Sequence, residues 1–327
     1  DEIPYEVVEC REHLETAVDM ARKGSVLLKN DGILPLDKSK LRTIGVVGPI
    51  ADSRAALIGN YHGTASRYIT VLEGIQDEAG EEVRVLYSEG CHLKNDKVEN
   101  LAWKQDRISE AVITAEHSDV VIICVGLDET LEGEEGDDGN FYASGDKKDL
   151  HLPKVQEELI EKVTAAGKPT VVVLMAGSAV DLNYAEENCS GILMAWYPGA
   201  RGGKAIADLL FGKVSPSGKL PVTFYRDLEG MPEFTDYSMK NRTYRYMEKD
   251  ALYPFGYGLT YGDVQVTKAE ILNKAAENSC IELEVTVKNR GTRDTEEVVQ
   301  IYIKDLDSPL AVHNCSLCAF KRVMLKA

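Results

Sequence analysis

No run of about 18 apolar residues, the length a membrane-spanning helix requires, occurs anywhere in the 327-residue chain. The opening segment, DEIPYEVVECREHLE, lacks the basic-then-apolar order of a secretory leader. Positive charge is also scarce: 37 Lys and Arg stand against 54 Asp and Glu, a net charge of −17. Gripping a phosphate backbone or an anionic bilayer takes a basic face, so neither nucleic acid nor membrane is expected as a partner. Phosphate fingerprints are missing too. After RTIGVVG only Gly45 and Gly48 occur, and no GxGxxG or P-loop spacing follows. The cysteines (Cys10, Cys91, Cys124, Cys189, Cys280, Cys315 and Cys318) are odd in number and scattered, with Cys124 inside the apolar run VVIICVG. That pattern favours free thiols in a reducing, cytoplasmic setting over a disulfide framework. Cys315 and Cys318 form a CxxC, but a second pair to complete a metal site is lacking. No cofactor is implied.

What the chain does have is a series of short, continuously apolar runs, each closed by glycine or a turn. They are RTIGVVG (42–48), VRVLYS (83–88), VVIICVG (120–126), TVVVLMAG (170–177) and GILMAWY (191–197). Continuous rather than alternating apolarity marks parallel strands covered on both faces. Helical spacing fills the gaps, over 110–117 and 153–166, and 12–30 reads as an amphipathic helix ended by the turn residues Asn30, Asp31 and Gly32. Alternating strands and helices predict a layered α/β sandwich with a mostly parallel sheet of about six strands. Its functional edge lies in the loops beyond the carboxyl ends of the strands.

After Tyr261 the texture changes. Residues 264–304 alternate with a two-residue period, as in an antiparallel β-sandwich. About 65 residues remain there, against roughly 100 for a complete sandwich, so the expectation is a truncated all-β domain. Three parts follow: 1–37 as a linker and helix, 38–262 as the α/β sandwich, and 263–327 as a partial β-sandwich.

The most chemically loaded segment is the loop after VVIICVG. It sets Asp128, Glu129, Glu132, Glu134, Glu135, Asp137 and Asp138 among glycines. Crowded carboxyl groups raise one another's pKa, which keeps an acid protonated near neutral pH. The same composition also fits a solvated acidic surface loop. A calcium loop fits less well, because the EF-hand alternation of oxygen ligands with a twelfth-position Glu is absent. Glycines 199, 202 and 203 open a helix at 204–211. They suit either close backbone packing or amide donors presented at a helix N-terminus.

Several segments in order decide among these readings. ARKGSVLLKNDGILPL (21–36), GNYHGTASRYITVLEGI (59–75), YPGARGGKAIADLLFGKVSPSGKLPVTFY (197–225) and RTYRYMEKDALYPFGYGLTY (242–261) together resemble the C-terminal part of glycoside hydrolase family 3, the β-glucosidase and β-xylosidase family. The tail from 264 resembles the start of the fibronectin-type-III-like domain found in many members.

The resemblance implies a retaining exo-glycosidase acting on terminal β-D-glucosyl or β-D-xylosyl residues of an oligosaccharide or aryl glycoside. Such an enzyme uses two carboxyl groups about 5–5.5 Å apart, one as nucleophile and one as acid/base. In the family the nucleophile is an Asp on a (β/α)8 barrel, which this chain lacks, and the acid/base is a Glu from the sandwich. That Glu maps onto the acidic loop, where Glu132 fits best and Glu134 and Glu135 remain alternatives. Tyr61, His62 and Arg67 are candidate substrate-binding residues. Alone, the chain is expected to be an incomplete catalytic unit that needs the barrel as partner, and an exposed barrel-facing surface makes homo-oligomers possible. The competing expectation is a non-catalytic carbohydrate-binding or assembly module of the same fold.

Overall fold

A computed structural model describes residues 2–96, 101–104, 106–134, 147–273, 280–312 and 314–327. In chain order its elements are α1 (Arg11–Gly24), β1 (Val26–Asn30), β2 (Thr43–Val47), α2 (Ala55–Ile58), α3 (Val71–Ala79), β3 (Arg84–Ser88), α4 (Ile108–Glu116) and β4 (Val120–Gly126). There follow α5 (Lys154–Thr164), β5 (Thr170–Met175), α6 (Asn183–Asn188), β6 (Gly191–Met194), α7 (Gly202–Leu210), α8 (Thr243–Tyr246), β7 (Val264–Ile271), β8 (Leu283–Asn289), β9 (Thr295–Ile303) and β10 (Ser316–Leu325).

Six strands form one sheet in the order β1-β6-β5-β4-β2-β3. All neighbours are parallel except β1, which runs antiparallel to β6. The apolar runs are continuous because both faces are covered. On β4, Val121, Ile123 and Val125 pack in one layer with Val155 and Leu159 of α5, whereas Val120, Ile122 and Cys124 pack in the other with Val71 of α3 and Ile206 of α7. The fold is thus an α/β sandwich, three layers deep.

One expectation needs correction. The helix read over 12–30 ends at Gly24, and Val26, Leu27 and Leu28 form the antiparallel edge strand β1. Three consecutive residues buried to 1% exposure or less cannot lie on one helix stripe. The segment read as linker therefore contributes a strand to the sheet.

Helix α1 is locked to the sandwich by a charge cluster. Asp208 of α7, 1% exposed, accepts from Arg22 Nε at 3.0 Å and from a second nitrogen of the same guanidinium. Lys204 lies 3.2 Å from the same carboxylate and Lys213 3.8 Å. A buried carboxylate persists only with such partners. Asp208→Asn keeps the shape and removes the charge. Breaking a buried pair costs about 3–5 kcal/mol, and the half-exposed lysines place this case near 3 kcal/mol. A urea unfolding midpoint unchanged by the substitution contradicts that expectation.

Helices α3 and α7 touch backbone to backbone. A Cβ on Gly203 would overlap the Thr70 carbonyl, and one on Gly74 the Gly203 carbonyl. Of the two roles open to these glycines, close packing is the one Gly203 fills.

Beyond residue 263 the chain forms two antiparallel pairs, β7 with β8 and β9 with β10. The second pair is fastened to the sandwich. Thr295 Oγ1 donates to Ser215 Oγ at 2.8 Å, and Lys219 pairs with Glu297 at 2.8 Å. Gln300 Nε2 also donates to the Gly256 carbonyl at 2.9 Å.

Candidate active site

Strand β4 ends at Gly126, with φ at +152°, where a Cβ would overlap the Met175 carbonyl of β5. Gln156 of α5, fully buried, secures this end. Its Oε1 accepts from Gly126 N at 2.8 Å, and its Nε2 donates to Gly126 O at 2.9 Å and to Leu93 O at 2.7 Å. A side-chain amide thus satisfies backbone groups that a neighbouring strand would otherwise meet. The chain then turns on Asp128. Its carboxylate accepts from Thr130 N at 2.9 Å and Thr130 Oγ1 at 2.7 Å, and its carbonyl accepts from Leu131 N and Glu132 N, both at 2.9 Å.

This turn delivers the Glu132 carboxylate, 14% exposed, into a ring of donors from three other segments. Gly177 N, just past β5, donates at 2.6 Å, and the Ser178 hydroxyl donates to the other oxygen. The Tyr197 hydroxyl, past β6, donates at 2.6 Å, and Lys147 Nζ stands 3.9 Å away. Burial, then the Glu132 charge, pushes the Tyr197 phenol well above its ordinary range, so it stays a proton donor here. Burial lowers the pKa of Lys147, against the pull of Glu132 and Asp149. Lys147 also donates to the Ala179 carbonyl at 2.8 Å. Both oxygens of Glu132 accept hydrogen bonds within this ring.

Glu134, two residues on, is exposed. Glu135 lies outside the described residues. Glu132 and Glu134 lie in the loop after β4, where the sequence reading put its candidate glutamates. Sequence reasoning passed over Tyr197, Ser178 and Lys147. Tyr197 stood in plain view at the start of YPGARGG; only its position at the end of a neighbouring parallel strand hinted that it reaches the same edge.

The loop after α2 comes to the same edge. Gly59 packs on the Tyr197 ring so closely that a Cβ would overlap it. Next to it His62 meets Glu129, Nε2 to Oε2 at 3.1 Å, while Nδ1 faces the Gly63 carbonyl at 3.0 Å. The Gly63 carbonyl first and Glu129 second raise the His62 pKa above 6.5. With the folded pKa raised, the contact between the two loops is complete at low pH and fades as pH rises through that raised value. An NMR titration of the His62 ring protons is expected to give a midpoint above 6.5; one at or below it removes the pairing. Tyr61, beside it, is 80% exposed. Arg67 is not brought to this cluster: its guanidinium pairs with Glu73 of α3.

Against this geometry, the comparisons with known proteins are direct. Residues 25–261 match the model of the glycosyl hydrolase family 3 C-terminal domain. The chain belongs to that family. A β-xylosidase of Formosa agariphila is 35% identical over 96% of this chain and 43% of its own length. A periplasmic β-glucosidase of Salmonella typhimurium is 34% identical over 97% of this chain and 44% of its own. Among solved structures, the Bifidobacterium adolescentis family 3 β-glucosidase superposes with a TM-score of 0.85 at 31% identity, covering all of this chain and 47% of that one. A β-glucosidase of Erythrobacter marinus gives 0.82 at 34% identity, covering 98% of this chain and 45% of that one. The chain spans about half the length of the curated relatives it matches.

Proposed function

We propose that this chain is the acid/base half of a retaining β-glycosidase that removes terminal β-D-xylosyl or β-D-glucosyl residues, and that a barrel supplies the nucleophile. The observation that carries the reading is the Glu132 ring. It pins the acidic loop to the carboxyl edge of the sheet and leaves Glu134 exposed one glycine further on.

Glu132, the first choice on sequence, is on this reading the carboxylate that anchors the loop. A general acid must turn an O–H toward the leaving oxygen and later receive a proton from water, and a carboxyl group ringed by donors is poorly placed to do either. Glu134 has the freedom to do both. Gly133 lets the backbone between them bend. The step itself is ordinary: the carboxyl protonates the departing glycosidic oxygen as the nucleophile attacks, then its carboxylate takes a proton from the water that releases the sugar. His62 and Tyr61 stand at the same edge as candidates to meet the sugar, and the His62–Glu129 contact holds their loop there. Arg67, paired with Glu73, is given no part.

The coverage of relatives supports the division of labour, since the matched proteins run on for as much chain again. The test is an assay on aryl β-D-xyloside and β-D-glucoside, with the purified chain alone and then with a family barrel segment added. Silence alone and turnover on mixing is the expected result. Turnover by the chain alone means that a nucleophile lies within it. Silence in both conditions, with docking shown by co-elution, favours the non-catalytic carbohydrate-binding module instead.

A further inference from the structure

The loop after β5, residues 177–181, is gripped from two sides. Gly177 N and Ser178 Oγ donate to Glu132, on the limb that leaves β4. Residues 147–152, which lead into α5, hold the remainder. Lys147 Nζ donates to the Ala179 carbonyl at 2.8 Å, and Asp181 N donates to the Leu150 carbonyl at 2.7 Å. The last contact is ionic. His151 Nδ1 lies 2.9 Å from Glu157 Oε1, in the first turn of α5, and 3.7 Å from Asp181 Oδ2. One imidazole thus ties the approach to α5, the helix itself and the loop that holds Glu132. The acid/base chemistry makes no use of this ring.

The tie depends on charge. Glu157 from α5, Asp181 from the β5 loop and Asp149 from the ring's own segment are the charged groups that act on it, and all three are carboxylates. Asp181 is fixed independently, its Oδ1 accepting from Asn183 N at 2.9 Å and Asn183 Nδ2 at 2.7 Å. Protonated, the ring donates to Glu157 and offsets negative charge on its neighbours. Neutral, it can still share one hydrogen bond but offsets none of that charge. The hydrogen bond to Glu157 first, then the charges of Glu157, Asp181 and Asp149, raise the His151 pKa above 6.5 in spite of partial burial. Glu157 is raised too, by burial, against the pull of His151. The contact is therefore complete within a window of pH. Below it Glu157 takes up a proton, and above it His151 gives one up.

We propose that His151 is a positioning residue: protonated, it holds the loop after β5 in place to receive Glu132, and on losing its proton it loosens that loop and the Glu132 anchor with it. The path between them is short. Asp181 and Gly177 are the two ends of one five-residue loop, and Lys147 reaches its middle from the segment that carries His151. Activity then declines on the alkaline side because the acidic loop loses its alignment, separately from the titration of the acid itself. That consequence for turnover rests on the acid/base reading above; the coupling of His151 to the loop does not.

The test is an NMR pH titration of this chain alone, following the His151 ring protons and the Gly177 amide. The amide is expected to move with the midpoint of the ring, above 6.5. His151→Gln keeps a side chain that hydrogen-bonds but cannot be charged, and is expected to remove that component at Gly177. Glu157→Gln is expected to lower the ring midpoint and the amide midpoint together. The His151 side chain is 59% exposed, so its variant is expected to fold, with an unchanged thermal midpoint at alkaline pH, where the parent ring is neutral as well. His62 is another ring that titrates at this edge. A Gly177 movement that persists in His151→Gln belongs to another group and overturns the proposal, as does an amide that does not follow the ring. No turnover enters the measurement, so failure of the acid/base reading leaves its result standing.

Discussion

Glu134→Gln, in an enzyme assembled from this chain and a barrel, is expected to lower turnover of glycosides with poor leaving groups by about a hundred- to ten-thousand-fold. The amide cannot give or take the proton that the glycosidic oxygen and the attacking water need. Aryl substrates with good leaving groups depart without that proton, so their first step is expected to survive while release of the sugar slows. Glu132→Gln is expected to behave differently. It disturbs the hydrogen bonds from Gly177 N and the Tyr197 hydroxyl, loosening the loop and lowering activity on all substrates by a similar factor. The pair separates the roles: leaving-group dependence in the Glu132 variant and none in the Glu134 variant would return the acid/base role to Glu132. If neither variant shows it, attention passes to Glu135.

Gly126→Ala is expected to remove most of the stability of the sandwich, at least about 4 kcal/mol of the 5–15 kcal/mol typical of a folded protein. Two effects combine. A φ of +152° is hostile to a side chain, and the added carbon would occupy the space of the Met175 carbonyl. Relief would require β4 to part from β5 at the centre of the sheet, where neither strand has room. Gln156→Leu is the milder companion, because it leaves the amide and carbonyl of Gly126 without their partners at about 1–3 kcal/mol for each group. Denaturant titration followed by far-ultraviolet circular dichroism checks both. A Gly126→Ala chain as stable as the parent would show that the strand end can relax.

The sheet was legible because its central strands are apolar without interruption. Five of the six strands begin and end within a few residues of the runs read from the sequence, Val120–Gly126 among them. The sixth was hidden. Val26, Leu27 and Leu28 follow a helical pattern that continues smoothly into them, and only their antiparallel pairing with β6 makes a strand of them. At the site, periodicity located the loop but not the roles of its carboxylates. Glu132 and Glu134 have the same chemistry and nearly the same neighbours in sequence. What tells them apart is Gly177, Ser178 and Tyr197, all more than forty positions away along the chain, arriving from adjacent parallel strands. Arg67 was read as a sugar ligand from its residue type, and Glu73, six positions on at the start of α3, claims it.

On the proposed reading, the Glu132 ring also bears on how this chain would meet a barrel. Among the described residues, Gly177 N, Ser178 Oγ and the Tyr197 hydroxyl donate to it from strand-end loops fixed by the sheet itself. The turn from Asp128 to Glu132 is held by this chain's own donors. Ordering a side chain at an interface costs about 0.5–1.5 kcal/mol, and here that loss falls on folding of the sandwich rather than on docking. A barrel binding to such a surface would meet a template rather than induce one. Its association would proceed as a rigid-body encounter, with little change in this chain's own hydrogen-exchange pattern around Gly177 and Tyr197.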